Sequence, residues 1–311
     1  MPELKALQQV IAVRNIIGSG DAVFSRVLKL DPTNRDSEAL MWCSAKNLVV
    51  LNQVQAGVIL TPADAQFTPQ PGCTYVLVDD PRMAFMKVLR AFFVPKKPAT
   101  IASTAVIHPS VKLGAGICIG EHVVIEENCQ IGDHCSIGHN TVIRDSTLIG
   151  KHVTIGSNCT IGGVGFGYEK DEDGFFQLIP HLGNVILSDH VEIGNNTCID
   201  RAVLGSTMLG EAAKVDNLVH IAHGVSIGKN SMIIANAMIA GSVSVGDNSW
   251  VAPSASVLNQ KKLGSSVTIG MAAVVVKDVP DGQTIAGSPG EEISVYVQKR
   301  KLLQELIQKN M

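Results

Sequence analysis

The densest cluster of polar side chains lies between Ile199 and Gly228, in IDRAVLGSTMLGEAAKVDNLVHIAHGVSIG, and holds two imidazoles, His220 and His223. An imidazole titrates near neutrality, so it can take a proton from one reactant and return it to another. The competing reading is a corner histidine that only hydrogen-bonds backbone. The spacing argues against a shared metal, because residues three apart on a strand of period two face opposite ways. His220 then faces a substrate cleft or a neighbouring subunit. Asp216 is the best acidic candidate, either orienting a site or serving as an ordinary turn aspartate. The seven cysteines form no C-x-x-C pair, which fits free thiols better than disulfides or a metal.

What positions these residues is a repeat. Stepping by six from Ile101 to Ile161 meets Ile or Leu at all eleven positions, and stepping from Val215 to Val275 meets an aliphatic residue at all eleven again. Between the runs, Leu187, Ile193 and Ile199 keep the period, and Leu204 and Leu209 are read as two shortened steps. Neither a helix nor a hairpin meander has a strict period of six. A short strand followed by a turn does, and the glycines after Ile119, Ile131, Ile137, Ile149 and Ile155 suit tight corners. Small or β-branched residues two places earlier (Val123, Cys129, Cys135, Thr141, Thr147, Val153, Cys159) share the interior, which gives three cysteines a packing role. Aromatics make up only 4% of the chain, as an aliphatic core requires.

Such repeats resemble the hexapeptide acyltransferase superfamily, which winds three hexapeptides into each triangular coil. The resemblance implies a mainly β fold, a left-handed parallel β-helix, against the usual right-handed crossover preference. Residues i and i+18 then stack, so Gly241 falls one coil along from His223 and Asn259 one further. A glycine there permits close approach to the backbone or serves a tight turn.

The similarity becomes specific in Gly165-Phe166-Gly167, Ile179-Pro180 with Gly183, Val191-Glu192-Ile193-Gly194, Ile199-Asp200-Arg201, Asp216-Asn217 and Ile221-Ala222-His223. These pieces resemble the UDP-3-O-(3-hydroxyacyl)glucosamine N-acyltransferase family of lipid A synthesis, over about residues 100–285. That resemblance implies His223 as general base and the Gly241 N–H as oxyanion donor. It also implies Asp216 orienting the site or touching a pantetheine arm, and His181 near the sugar. By the same resemblance the expected donor is an acyl thioester on acyl carrier protein or CoA, with no bound cofactor, the expected acceptor a nucleotide amino sugar, and the expected assembly a homotrimer.

Residues 1–99 lack the repeat and read as a small α/β domain for the nucleotide, with strands at 58–60 and 75–78 and a helix over 82–93 capped by Asp80. Its stretch Met41-Trp42-Cys43-Ser44-Ala45-Lys46-Asn47 stands where the family stacks uracil in a Phe…Asn-Pro-Lys-Tyr segment, keeping Lys46 and one ring, Trp42. Pro95-Lys96-Lys97-Pro98 reads as the linker into the β-helix of residues 100–288. The repeat breaks over 163–184, a loop with Phe166, Tyr168, Phe175 and Phe176 that covers substrate, bridges subunits or packs on its own chain. Residues 289–311 form a final helix, whose Lys299-Arg300-Lys301 is a solvated face or a contact for an acidic carrier. Gln260-Lys261 replaces a second family histidine near Asn259, and Gly287-Ser288-Pro289 looks more like acetyltransferases ending in Gly-x-Pro-Ala.

A net charge of −3 excludes a basic field for nucleic acid. No run of about 18 apolar residues or signal peptide is present, so a cytoplasmic protein without a membrane span is expected. Rival readings are an acetyl-CoA-dependent N-acetyltransferase of a nucleotide amino sugar for polysaccharide synthesis, a β-helical carbonic anhydrase and a non-catalytic scaffold.

Overall fold

The computed structural model describes residues 2–95 and 98–309 and divides into two compact units, Met1–Lys97 and Pro98–Met311. Lys96 and Lys97 of the expected linker lie outside the described residues.

The first unit is a five-stranded sheet in the order 15–17, 73–78, 57–62, 39–42, 26–27; the first pairing is antiparallel and the rest are parallel. Strand alternation sends Leu40, Val58, Leu60 and Val76 into one core with Leu4, Leu7, Phe24 and Val88. Met41, Ile59 and Tyr75 face the other way, onto Leu51 and Val54. The helix Pro81–Val88 begins where the Asp80 carboxylate accepts the Met83 N–H at 2.9 Å, and it continues as a wider π-type turn over Leu89–Phe93.

The second unit is a solenoid with three sheets of nine, eight and eleven strands, parallel except for the last strand of the third. It is the left-handed parallel β-helix that the family resemblance implies. Register is set by the aliphatic column: Val124 pairs with Val142 and Ile125 with Ile143, and each coil places its Ile or Val over the last. Burying such a side chain fully is worth about 1.5–3 kcal/mol, so slipping register by one residue would forfeit a whole column. Cys129, Cys135, Thr141 and Thr147 share this interior, with the Thr141 hydroxyl donating to the Gly156 carbonyl at 2.8 Å. Each corner needs one residue in the left-handed region, and Asn128, His134, Asn140 and Ser146 all have φ between 58° and 61°. The strain is offset because that residue's N–H bonds the preceding coil, as His134 N to Ala115 O at 2.7 Å.

Two irregularities interrupt the stack. Ile149 pairs with Leu187, across the loop, and Leu187 then pairs with Leu209 in a coil lengthened to 22 residues. Leu204 is therefore not a column position: it is 76% exposed, in a bulge looped out between Asp200 and Ser206. The two shortened steps expected there are one long step. The solenoid ends with Ile269 pairing Ile285, followed by the antiparallel piece Glu291–Glu292 and the helix Ile293–Lys309, which buries none of its own residues. Among the described residues, no helix is long and apolar enough to cross a membrane.

Candidate functional site

His223 sits at the corner after the strand His220–Ile221, which pairs with Cys198–Asp200 on one side and Met238–Ile239 on the other. That register puts Gly241 directly beneath it. A Cβ built on Gly241 would lie 2.7 Å from both Cε1 and Nε2 of His223, so the imidazole rests over the glycine's α-carbon and excludes any side chain there. Main-chain bonds fix the corner: Ser242 N to His223 O at 2.9 Å, Gln260 N to Gly241 O at 2.9 Å, and Gly224 N to the Thr207 hydroxyl at 2.9 Å. His223 is half-buried, and desolvation, with repulsion from His181 whenever that ring is protonated, holds its pKa below the ordinary imidazole value.

His181 comes from the far end of the loop. It is 7% exposed, and its ring meets that of His223 edge-on, with centroids 5.3 Å apart at 80°. Its Nδ1 lies 2.7 Å from the Ile179 carbonyl, which can only accept, so Nδ1 carries a proton, and in the neutral form of the ring the lone pair is on Nε2. Nε2 is buried with no hydrogen-bond partner. The glycines of Gly165-Phe166-Gly167 let the main chain pass over this pair. A Cβ on Gly165 would lie 2.9 Å from His181 Nε2 and 2.9 Å from His223 Cβ.

The loop is held at both ends by the lengthened coil. At its start, the buried Arg201 donates from Nε to Gly162 O at 2.8 Å, and it pairs with Asp145 at 2.6 Å and 3.2 Å. At its end, Leu182 N bonds Val203 O at 2.9 Å, Gly183 N bonds Ala202 O at 3.0 Å, and Asn184 N bonds Gly205 O at 3.0 Å. Asp200 is buried beside this brace, with Oδ2 3.6 Å from His220 Nε2. Burial raises its pKa, against the opposing pull of His220 and His181. Asp145, Asp200 and Arg201 were not singled out from sequence as site residues. The signal that points to them is that both breaks in the period meet here.

The other candidates are placed more loosely. Asp216 lies at the opposite end of the His220–Ile221 strand from His223 and is occupied within its own corner, accepting from Asn217 N at 2.7 Å and Ala235 N at 3.2 Å. Within one chain it is not brought to the imidazole. Asn259 is exposed, following Gly241 in the same column. Phe166, 87% exposed, packs with its ring tilted 58° and 4.9 Å from that of Tyr168, which opens a two-stranded hairpin in the loop. His220 points outward and is half-exposed. In the first unit, Trp42 is partly buried against Phe85 at 6.3 Å, and Lys46 is exposed on a short turn, Ala45–Asn47. Among the described residues, no group of three or more His, Cys, Asp or Glu side chains could hold a metal ion.

A coil with an imidazole over a glycine, capped by a loop, can be compared with known proteins. The bacterial transferase hexapeptide (six repeats) family model matches residues 128–163. The UDP-3-O-acylglucosamine N-acyltransferase of Syntrophotalea carbinolica is 44% identical over 308 residues, covering 93% of this chain and 88% of the relative. The chain belongs to the UDP-3-O-acylglucosamine N-acyltransferase family. The family's Campylobacter lari member is 46% identical over 218 residues, 66% of this chain and 68% of its own. Among solved structures, the UDP-N-acetylglucosamine acyltransferase of Francisella novicida superposes with a TM-score of 0.56 at 26% identity, over 62% of this chain and 68% of that one. The Campylobacter jejuni enzyme gives 0.57 at 23% identity, over 62% and 73%, a likeness of fold alone. Membership in the family makes this chain an acyltransferase, and the loop that interrupts its solenoid brings His181 and Gly165 against the His223 corner.

Proposed function

We propose that the chain transfers a 3-hydroxyacyl group from acyl carrier protein to the amine of UDP-3-O-acylglucosamine, in the cytoplasmic part of lipid A synthesis. The observation that carries the reading is the His223 imidazole lying over Gly241. His223 Nε2 takes a proton as the amine nitrogen attacks the thioester carbon. The Gly241 N–H receives the developing oxyanion, the C–S bond breaks, and His223 returns the proton to the leaving thiolate. The downward shift of the His223 pKa favours the neutral imidazole, the form that can accept a proton.

The remaining roles follow. Asp216 meets the pantetheine arm, while Asn259, His220, Phe166, Tyr168 and His181 face the acceptor. Trp42 and Lys46 of the first unit take the nucleotide. The active assembly is a homotrimer, in which Asp216 of one copy serves the His223 corner of the next. Exposed Phe166, Phe175, Phe176 and Leu182 in the loop and Leu204 in the bulge support this, being apolar surface that a neighbour would cover.

The test is a mass-spectrometric assay of the purified chain with UDP-3-O-acylglucosamine, offering 3-hydroxyacyl carrier protein or acetyl-CoA. The expected product is the N-(3-hydroxyacyl) sugar from the carrier protein. Product from acetyl-CoA alone would replace this reading with that of a nucleotide-sugar N-acetyltransferase. No amide from either donor would overturn it.

A further inference from the structure

Acyl transfer to nitrogen differs from transfer to oxygen by one hydrogen. When a hydroxyl attacks a thioester, its single hydrogen goes to the base. When a primary amine attacks, its lone pair forms the C–N bond and the carbonyl π pair moves to oxygen. Nitrogen is left positive with two hydrogens. One passes to the base and, after C–S cleavage, to the thiolate; the other stays on the amide. A site built for amines can therefore hold a second acceptor beside the base, which a site for hydroxyls has no hydrogen to fill.

His181 supplies such an acceptor. Its Nδ1–H is committed to Ile179 O at 2.7 Å, which fixes the tautomer and leaves Nε2 an acceptor. Nε2 is buried and unpartnered in a side chain that is 7% exposed. A buried nitrogen left unsatisfied is costly unless a ligand completes it. Its direction is set by Gly165: the space a Cβ would occupy there is bounded by His181 Nε2 at 2.9 Å and His223 Cδ2 at 3.0 Å. The two rings, with centroids 5.3 Å apart and nearly perpendicular, thus both pack against Gly165, whose main chain fills the space beside Nε2.

Resting on the N-acyl transfer reading above, we infer that His181 Nε2 accepts the retained N–H of the attacking amine while His223 takes the other, making His181 the residue that selects an amine acceptor. For the amine to reach Nε2, the glycine-flanked Phe166 segment must move aside, because Gly165 fills the space beside that nitrogen. Nothing else in the loop offers a buried, unpaired acceptor among the described residues.

The test uses two full-length variants with UDP-3-O-acylglucosamine and 3-hydroxyacyl carrier protein at neutral pH. His181→Asn keeps a side-chain N–H where Nδ1 bonds Ile179 O, so the loop anchor survives, but it ends short of Nε2. His181→Gln reaches far enough to present an acceptor oxygen. The expected result is a loss of about tenfold to a hundredfold in kcat for His181→Asn, with KM for the sugar changed less. Most of the rate returns in His181→Gln, as one charge-assisted hydrogen bond would give. If His181→Asn stays within threefold of wild type, or His181→Gln is as slow as His181→Asn, the inference is wrong. If the wild-type chain itself makes no amide, the reading beneath it fails instead.

Discussion

Replacing Gly241 by Ala separates the chemistry from the scaffold. The new methyl carbon would stand 2.7 Å from Nε2 and Cε1 of His223, whereas carbon contacts settle near 3.5–4.0 Å. The ring must therefore retreat by about 1 Å, a displacement that costs on the order of a hundredfold when a reacting group is misplaced. The fold has no comparable objection. Gly241 does not have a left-handed φ, its carbonyl bond to Gln260 N is untouched, and the position is a corner rather than the core. Unfolding stability should change by less than about 0.5 kcal/mol. Steady-state acyl transfer together with a thermal melt reads both quantities. A variant with near-normal kcat would show that the imidazole is not held against this glycine during reaction. A melt lowered in proportion to the lost rate would show that the glycine serves the fold.

Burial and His181 hold the His223 pKa below the ordinary value of about 6.5, so the acid limb of kcat/KM should fall below that pH. In linkage terms a depressed imidazole binds fewer protons folded than unfolded, so its share of stability is intact above about pH 6.5 and is lost as pH falls through the folded value. An acid limb at or above 6.5 in a pH–rate profile would contradict this. Arg201→Met should cost about 2–4 kcal/mol by denaturant titration, since it strands Asp145 and the Gly162 carbonyl; the lower part of the range applies because Asp145 keeps some water. The same variant should slow acyl transfer by freeing the start of the loop, and unchanged stability would remove Arg201 from that role.

The solenoid was legible because its cause is local and repeated. An aliphatic residue every six positions can be buried only by stacking coils, and with the eighteen-residue coil that the family resemblance implies, Gly241 falls beneath His223. The reasoning failed where the period did. Leu204 looks like a column residue by type, yet the bulge carries it outward because the loop end needs the carbonyls of Ala202, Val203 and Gly205. Ion pairing of Arg201 with Asp145, and the approach of Asp200 to His220, span coils of 38 and 22 residues, so no fixed spacing foretells them. His181 was marked by its place in the loop, but its locked tautomer and buried Nε2 depend on how that loop folds back over Gly165.

The most direct measurement is single-turnover acyl transfer by His223→Ala, with the carrier-protein thioester preloaded and amide formation followed by rapid quench. The account predicts a rate about 10²–10⁴ lower than wild type with the melting temperature unchanged, the loss typical for a general base. A rate within a few fold of wild type would mean that proton transfer is carried out by another group.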